Sequence, residues 1–237
     1  MEGFSISDVY FSNGCRMIDI NPLPEDYCSF DCVFCPLGRT AVKTDQMHFF
    51  EETREFINRL KAFLDSNEVD IVFINPDGEG LANIELKEVI KAIKERKIKV
   101  ALLSNGYILN RKETREALSM CDEVTGELAV TNENDFNKLL RPIEGYTLAE
   151  HVNTMAEFRK WFKGKFILDI NIIKNYSDSD VSVEIFKDMI GRISPDEVYF
   201  GTPDDERFKG AFQVSEKRLE EIRQKLTVQQ CDKDPEA

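Results

Sequence analysis

Three cysteines lie close together at Cys28, Cys32 and Cys35, spaced C-x3-C-x2-C within Pro24-Glu25-Asp26-Tyr27-Cys28-Ser29-Phe30-Asp31-Cys32-Val33-Phe34-Cys35-Pro36. Thiolates this close can hold three irons of a four-iron cluster and leave the fourth iron without a protein ligand. An open iron is a place for chemistry, whereas a fully ligated cluster carries electrons. With 6 cysteines in 237 residues, a given spaced triple should arise by chance about 0.004 times per chain. The rival reading is a structural zinc site with His48 or Cys15 as fourth ligand. Such sites usually present two separated ligand pairs. No second pair exists in the sequence, so the cluster reading is preferred.

Polar residues that could serve such a centre recur at regular intervals downstream. Pro76-Asp77-Gly78-Glu79-Gly80 joins glycines, which let backbone approach a ligand closely, to a carboxylate that would complement an ammonium. The same residues also suit an ordinary strand-to-helix turn with Glu79 near a helix start. Ser104-Asn105-Gly106 offers two hydrogen-bonding side chains, or a plain turn in which Gly106 takes positive φ. Glu127 falls inside a strand expected to be buried and so needs a partner: a diol, a cation or a structural ion pair. Asp169 and Asn171 alternate with Leu168, Ile170 and Ile172, which places the two polar residues on one face. Lys174 follows them, either solvated or paired with a carboxylate.

The elements that must position these residues alternate along the chain. Strands are expected at Cys15–Ile20, Asp70–Asn75, Lys99–Leu103, Glu123–Val130, Lys165–Ile173 and Glu197–Phe200. Helices are expected at Glu51–Asp65, Leu86–Arg96, Arg111–Met120, His151–Phe162, Val183–Ile190 and Ser215–Leu226. Six strands separated mostly by helices predict an α/β fold, a partial (β/α)6 barrel of parallel strands with its ligands at the strands' carboxyl ends. The expected organisation is one domain over residues 1–226 and a polar, disordered tail over 227–237.

Composition bounds the rest. Hydrophobic residues make up 42% and no apolar run approaches the roughly 18 residues of a membrane span. Met1–Tyr10 lacks the pattern of a signal peptide. Cys15, Cys121 and Cys231 are scattered and suggest no disulfide framework, and free thiols point to a reducing cytoplasm. Cys121 reads as a buried apolar thiol and Cys231 as a tail residue. A formal net charge of −13 keeps the protein soluble and argues against a large RNA substrate, because nucleic-acid affinity comes first from basic groups.

The cysteine triplet, with aromatic Phe34 just before the third cysteine, resembles the radical S-adenosylmethionine (SAM) superfamily. The resemblance implies that Cys28, Cys32 and Cys35 ligate a 4Fe-4S cluster whose open iron is chelated by the amino and carboxylate groups of SAM. Electron transfer from the cluster would break a carbon–sulfur bond and release a 5′-deoxyadenosyl radical. It further implies that Phe34 shields one side of the cluster and that Gly78 and Glu79 address the SAM amino group. Gly80 stands where that family usually has proline. Ser104, Asn105, Glu127 and Asn171 become candidates for the remaining polar atoms of SAM, and Arg39, Lys43, Arg141 and Lys174 for an anionic group of the substrate.

Further segments resemble one subgroup, short proteins related to archaeal wyosine-base synthases that modify tRNA. They are Asn21-Pro22-Leu23-Pro24, residues 37–44, 136–142 and 174–178, and Thr202-Pro203. The likeness spans residues 12–226. The synthases carry a second cluster on three additional upstream cysteines, whereas only Cys15 lies upstream here, so no second cluster is expected and the wyosine reaction is not carried over. The implied partners are an external electron donor and a small-molecule or protein substrate, with tRNA disfavoured and no membrane. Two rivals remain: an activase that makes a glycyl radical on a partner protein, and an iron–sulfur electron-transfer protein that never cleaves SAM.

Overall fold

The computed structural model describes residues 3–227. Its first strands are β1 (Ser5–Ile6), β2 (Tyr10–Ser12) and β3 (Cys15–Asn21), followed by β4 (Tyr27–Cys28) and β5 (Val42–Lys43), which enclose the cysteine loop. Then come α1 (Thr53–Ser66), β6 (Ile71–Ile74), a 3-10 turn at Gly80–Ala82, α2 (Leu86–Lys94) and β7 (Lys99–Ser104). The middle of the chain gives α3 (Arg115–Leu118), β8 (Glu123–Leu128), α4 (Glu133–Asp135), a π-type turn at Phe136–Leu140 and α5 (Leu148–Trp161). It closes with β9 (Lys165–Asn171), α6 (Asp180–Ile193), β10 (Glu197–Gly201), α7 (Lys209–Phe212) and α8 (Glu216–Thr227).

The strands form an eight-stranded mixed sheet among the described residues, in the order β1-β3-β6-β7-β8-β9-β10 with β2 also on β3. The six long-range strands β3 and β6 to β10 run parallel, as the alternation of strands and helices predicts. The two antiparallel strands at the β3 edge are the departure. Ser12-Asn13-Gly14-Cys15 makes a two-residue hairpin with φ of 51° at Asn13 and 77° at Gly14, the turn that Asn-Gly favours.

Sheet polarity follows from the two-residue period. Ile18, Val72, Val100, Val124, Phe166 and Leu168 point to the face packed by helices and are each 0% exposed. The opposite face carries Asp19, Phe73, Thr125, Glu127, Asp169 and Asn171, all half-buried. Helices cover the first face through apolar stripes such as Phe56, Leu60 and Leu64 of α1. One apolar cluster runs from Phe4 to Leu226.

The helix expected over Arg111–Met120 shrinks to α3. The fully buried Thr114 hydroxyl reaches the Ile108 carbonyl at 3.0 Å and the Arg111 carbonyl at 2.9 Å, and so favours a turn over a regular helix. Cys121 is buried, with its sulfur 3.7 Å from the Ala117 carbonyl oxygen. Cys231 and residues 228–237 of the expected tail lie outside the described residues. Among the described residues no helix is long and apolar enough to cross a membrane.

Candidate functional site

The cysteine loop leaves on β4 and returns on β5, which pair in parallel with Tyr27 opposite Val42 and Cys28 opposite Lys43. Inside the loop, Cys35 N–H donates to the Cys32 carbonyl at 3.2 Å and Gly38 N–H to the Cys35 carbonyl at 3.0 Å. Asp31 ties the loop's two limbs. Its carboxylate accepts from Thr40 N–H at 3.2 Å and Arg39 at 3.0 Å, and meets Arg141 at 3.5 Å. Burial works to raise the Asp31 pKa, but Thr40 and the two arginines outweigh it and hold the group below its ordinary value. Arg39 and Arg141, expected to be available for a substrate anion, are therefore engaged with Asp31. Lys43 lies exposed on β5. His48 Nε2 is 3.3 Å from Thr44 Oγ1.

The turns after β6 and β7 lock onto this loop. Tyr27 and Gly78 form a bridge, and Glu79 N–H donates to the Tyr27 carbonyl at 2.7 Å. Gly78 has φ of 118°, and an added Cβ would lie 2.5 Å from the Tyr27 carbonyl oxygen, so only glycine permits this approach. Glu79 is 2% exposed. Its carboxylate accepts from Ser104 Oγ at 2.9 Å, Asn105 N–H at 2.9 Å and Leu81 N–H at 3.2 Å. Burial raises its pKa to about 7 against those three donors. Asn105 completes the link, its Nδ2 donating to Cys28 Sγ at 3.3 Å and to Ser29 Oγ at 3.1 Å. Thus Cys28, Glu79, Ser104 and Asn105 form one hydrogen-bonded group.

The three cysteines are half-buried free thiols. Burial pushes Cys28 up to about 12, opposed by the Phe30 N–H and Asn105 and assisted by the Glu79 charge. Cys32 is raised well above its ordinary value and Cys35 is raised too, burial again being the main cause. Among the described residues, no three His, Cys, Asp or Glu side chains gather as the ligands of one metal ion would. Cysteines that each bind a different iron of a cluster need no such common point.

Glu127 sits on the polar sheet face, level with Asp169 on the neighbouring strand. Burial first, then the charges of Asp169 and Glu79, raise its pKa to about 8. Its carboxylate has no ion-pair partner among the described residues, so the structural ion pair considered from sequence is absent there. Asn171 lies on the same face beside Gly201, whose Cβ would come 3.5 Å from Asn171 Oδ1. Phe34 packs its ring against Phe212 with centroids 6.3 Å apart.

Two contributors went unnoticed in the sequence. His151 is fully buried, with Nε2 2.9 Å from the Glu127 carbonyl oxygen and Nδ1 3.3 Å from Tyr146 Oη. It also packs on Phe30 of the cysteine loop at 5.6 Å. A histidine on the α5 stripe with Val152, Met155 and Phe158 was the available signal. Asp26 keeps a buried Oδ1 with no hydrogen-bond partner beside the Gly78 turn. The acidic residues flanking the cysteines in Glu25-Asp26-Tyr27-Cys28 and Phe30-Asp31-Cys32 were visible, but the bracing of the loop by Asp31 was not.

Known proteins resemble this chain in sequence and in fold. The chain is 28% identical over 187 residues to a protein of Brachyspira hyodysenteriae named GTPase Obg, covering 78% of this chain and 28% of that protein. It is 24% identical over 191 residues to a UPF0026 protein of Methanocaldococcus jannaschii, covering 79% of this chain and 60% of that one. The chain thus spans less than two thirds of the length of each of these two relatives. A solved structure of TYW1 with a lysine–pyruvate adduct bound superposes with a TM-score of 0.69 at 15% identity, covering 91% of this chain and 75% of that one, and so shares its fold. A family model described as the Radical SAM superfamily matches residues 24–185, which include the cysteine loop, the Glu79 and Asn105 turns and Glu127. The chain belongs to the radical SAM superfamily and has the fold of its enzymes.

Proposed function

We propose that the protein is a radical SAM enzyme whose Cys28, Cys32 and Cys35 hold a 4Fe-4S cluster and whose open iron receives SAM. When bound, the cluster and SAM supply reductive cleavage of a carbon–sulfur bond and, through it, hydrogen abstraction from a substrate. The observation that carries this reading is the hydrogen-bonded group joining Cys28, Asn105, Ser104 and Glu79, since it fixes three separate turns around the cysteine loop. The residues suit such a group chemically. Burial favours uncharged thiols where no iron is bound, and iron would reverse that preference by stabilising thiolates. The Asn105 amide and Phe30 N–H, which donate to Cys28 Sγ, would then stabilise a charged ligating sulfur.

The chain's own contribution is binding, orientation and exclusion of water. We assign Gly78 to close approach of the backbone to the SAM amino end. Glu79 already accepts three protein hydrogen bonds, so it mainly braces that turn and has little acceptor capacity left for an ammonium. Glu127 and Asn171 face the same polar side of the sheet and are the polar groups assigned to the remainder of SAM. Phe34 shields the loop on the side of Phe212. The sheet is read as the wall of a partial (β/α)6 barrel, with this site at the carboxyl ends of its parallel strands. Iron and sulfide analysis after anaerobic reconstitution, with EPR of the reduced protein before and after SAM addition, tests the assignment. Four irons and a spectrum altered by SAM are expected. A protein that retains zinc and no iron would refute it.

A further inference from the structure

On a chain of net charge −13, one depression gathers positive charge. A cavity of about 440 Å³ is lined by Lys174, Lys209, Arg218, Gln213 and Ser215, with Asp178 as its carboxylate. It lies just past the carboxyl end of β9, where parallel α/β sheets place their ligands. Lys174 has no ion-pair partner among the described residues, and Lys209 meets only the exposed Glu206, at 3.1 Å. A pair this exposed holds a lysine weakly. Arg218 is held in place, donating to the Asp178 carbonyl at 2.7 Å and meeting Asp180 at 2.8 Å. Asp178 is partly used, accepting from Asn175 N–H at 2.9 Å.

The pocket is tied to the cysteine loop. Lys174 N–H donates to the Phe212 carbonyl at 2.9 Å, and the Phe212 ring packs on Phe34, the residue before Cys35. Arg207, earlier on the same segment, donates to the Pro36 carbonyl just after Cys35. The turn that carries Lys174 is rigid, because Ile173 N–H donates to Ser177 Oγ at 2.8 Å and Ser177 N–H returns to the Ile173 carbonyl at 2.9 Å. Lys174, Lys209, Ser215 and Gln213 thus line one pocket on segments joined to the loop through Phe212.

We propose that this pocket binds a phosphate or carboxylate group of the substrate, which makes the substrate a small anionic molecule. The word substrate rests on the radical SAM reading above; the anion site itself does not. The strong negative charge of the remaining surface disfavours a polyanion such as RNA and leaves a single oxyanion as the better fit. The two lysines supply charge-assisted hydrogen bonds, and Ser215 and Gln213 supply neutral donors.

Backbone-assigned NMR spectra of the full chain, titrated separately with inorganic phosphate and with citrate, test this without any SAM chemistry. Saturable shifts confined to residues 174–178 and 209–218 are expected, and the tighter of the two probes identifies the oxyanion. Lys174→Ala and Lys209→Ala should each weaken binding about tenfold, as loss of one charge-assisted hydrogen bond does. Lys174→Arg should largely keep it. Shifts scattered over other lysines, or a double variant that binds like the wild type, would overturn the proposal. So would an RNA stem-loop that binds more tightly than either probe through the same lysines. Because the assay needs no cluster, its failure would leave the radical SAM reading intact, and failed SAM cleavage would leave the anion site intact.

Discussion

Replacing Glu79 with glutamine should change how stability depends on pH more than it changes stability itself. The Glu79 pKa rises from 4.5 to about 7 in the folded chain because the carboxyl is buried. A raised carboxyl pKa means the folded state holds a proton that the unfolded state has released. Its stabilising contribution is therefore complete below pH 4.5 and disappears as pH rises through 7. A separation of this size corresponds to roughly 3 kcal/mol. Glu79→Gln removes the titration but presents an amide NH2 either to Leu81 N–H or to the Ser104 and Asn105 donors, a local loss of about 1–2 kcal/mol. The variant should thus be less stable than wild type at pH 5 and equal or more stable at pH 8. Urea unfolding of the cluster-free protein across this range, followed by the fluorescence of Trp161, measures the crossing. Parallel stability curves would show that Glu79 is not a buried carboxyl with a raised pKa, and the bracing argument would fall with it.

Other consequences are as direct. His151 is buried neutral with its pKa lowered to about 4, so its contribution is present above pH 6.5 and lost as pH falls toward 4; His151→Phe should flatten that acid limb in the same urea series. Gly106→Ala places a Cβ 2.9 Å from His151 Cε1 at φ of 92° and should lower stability by about 1–3 kcal/mol, read as a fall in Tm. Gly145→Ala, with φ of 84° but open space around it, should lower Tm less. Asn105→Ala removes the donor to Cys28 Sγ and should leave the cluster assembled but at a more negative reduction potential, measured by redox titration followed by EPR.

Much of the fold was legible because strands such as Asp-Ile-Val-Phe-Ile and helices with a Phe56, Leu60, Leu64 stripe state their period plainly. What escaped depended on competition within short segments. The hairpin of β2 and β3 carried its Asn13-Gly14 signal, but strands of two and three residues give no period to read. The Arg111–Met120 helix gave way to the buried Thr114 hydroxyl, a choice that sequence periodicity does not register. At the site, glycine turns and polar side chains at strand ends marked out Gly78, Glu79, Ser104 and Asn105, which the structure joins to Cys28. Individual duties were harder to read. Glu79 faces protein donors, and the exposed Arg39 and Arg141 turn to Asp31, because burial obliges the two carboxylates to find partners nearby.

The central claim is most directly tested by anaerobic reconstitution with iron and sulfide, reduction with dithionite, addition of SAM and detection of 5′-deoxyadenosine by mass spectrometry. The account predicts 5′-deoxyadenosine from the wild-type protein and none from Cys32→Ala. A fully reduced, iron-loaded wild-type protein that makes no 5′-deoxyadenosine, or a Cys32→Ala variant that makes as much, would contradict it.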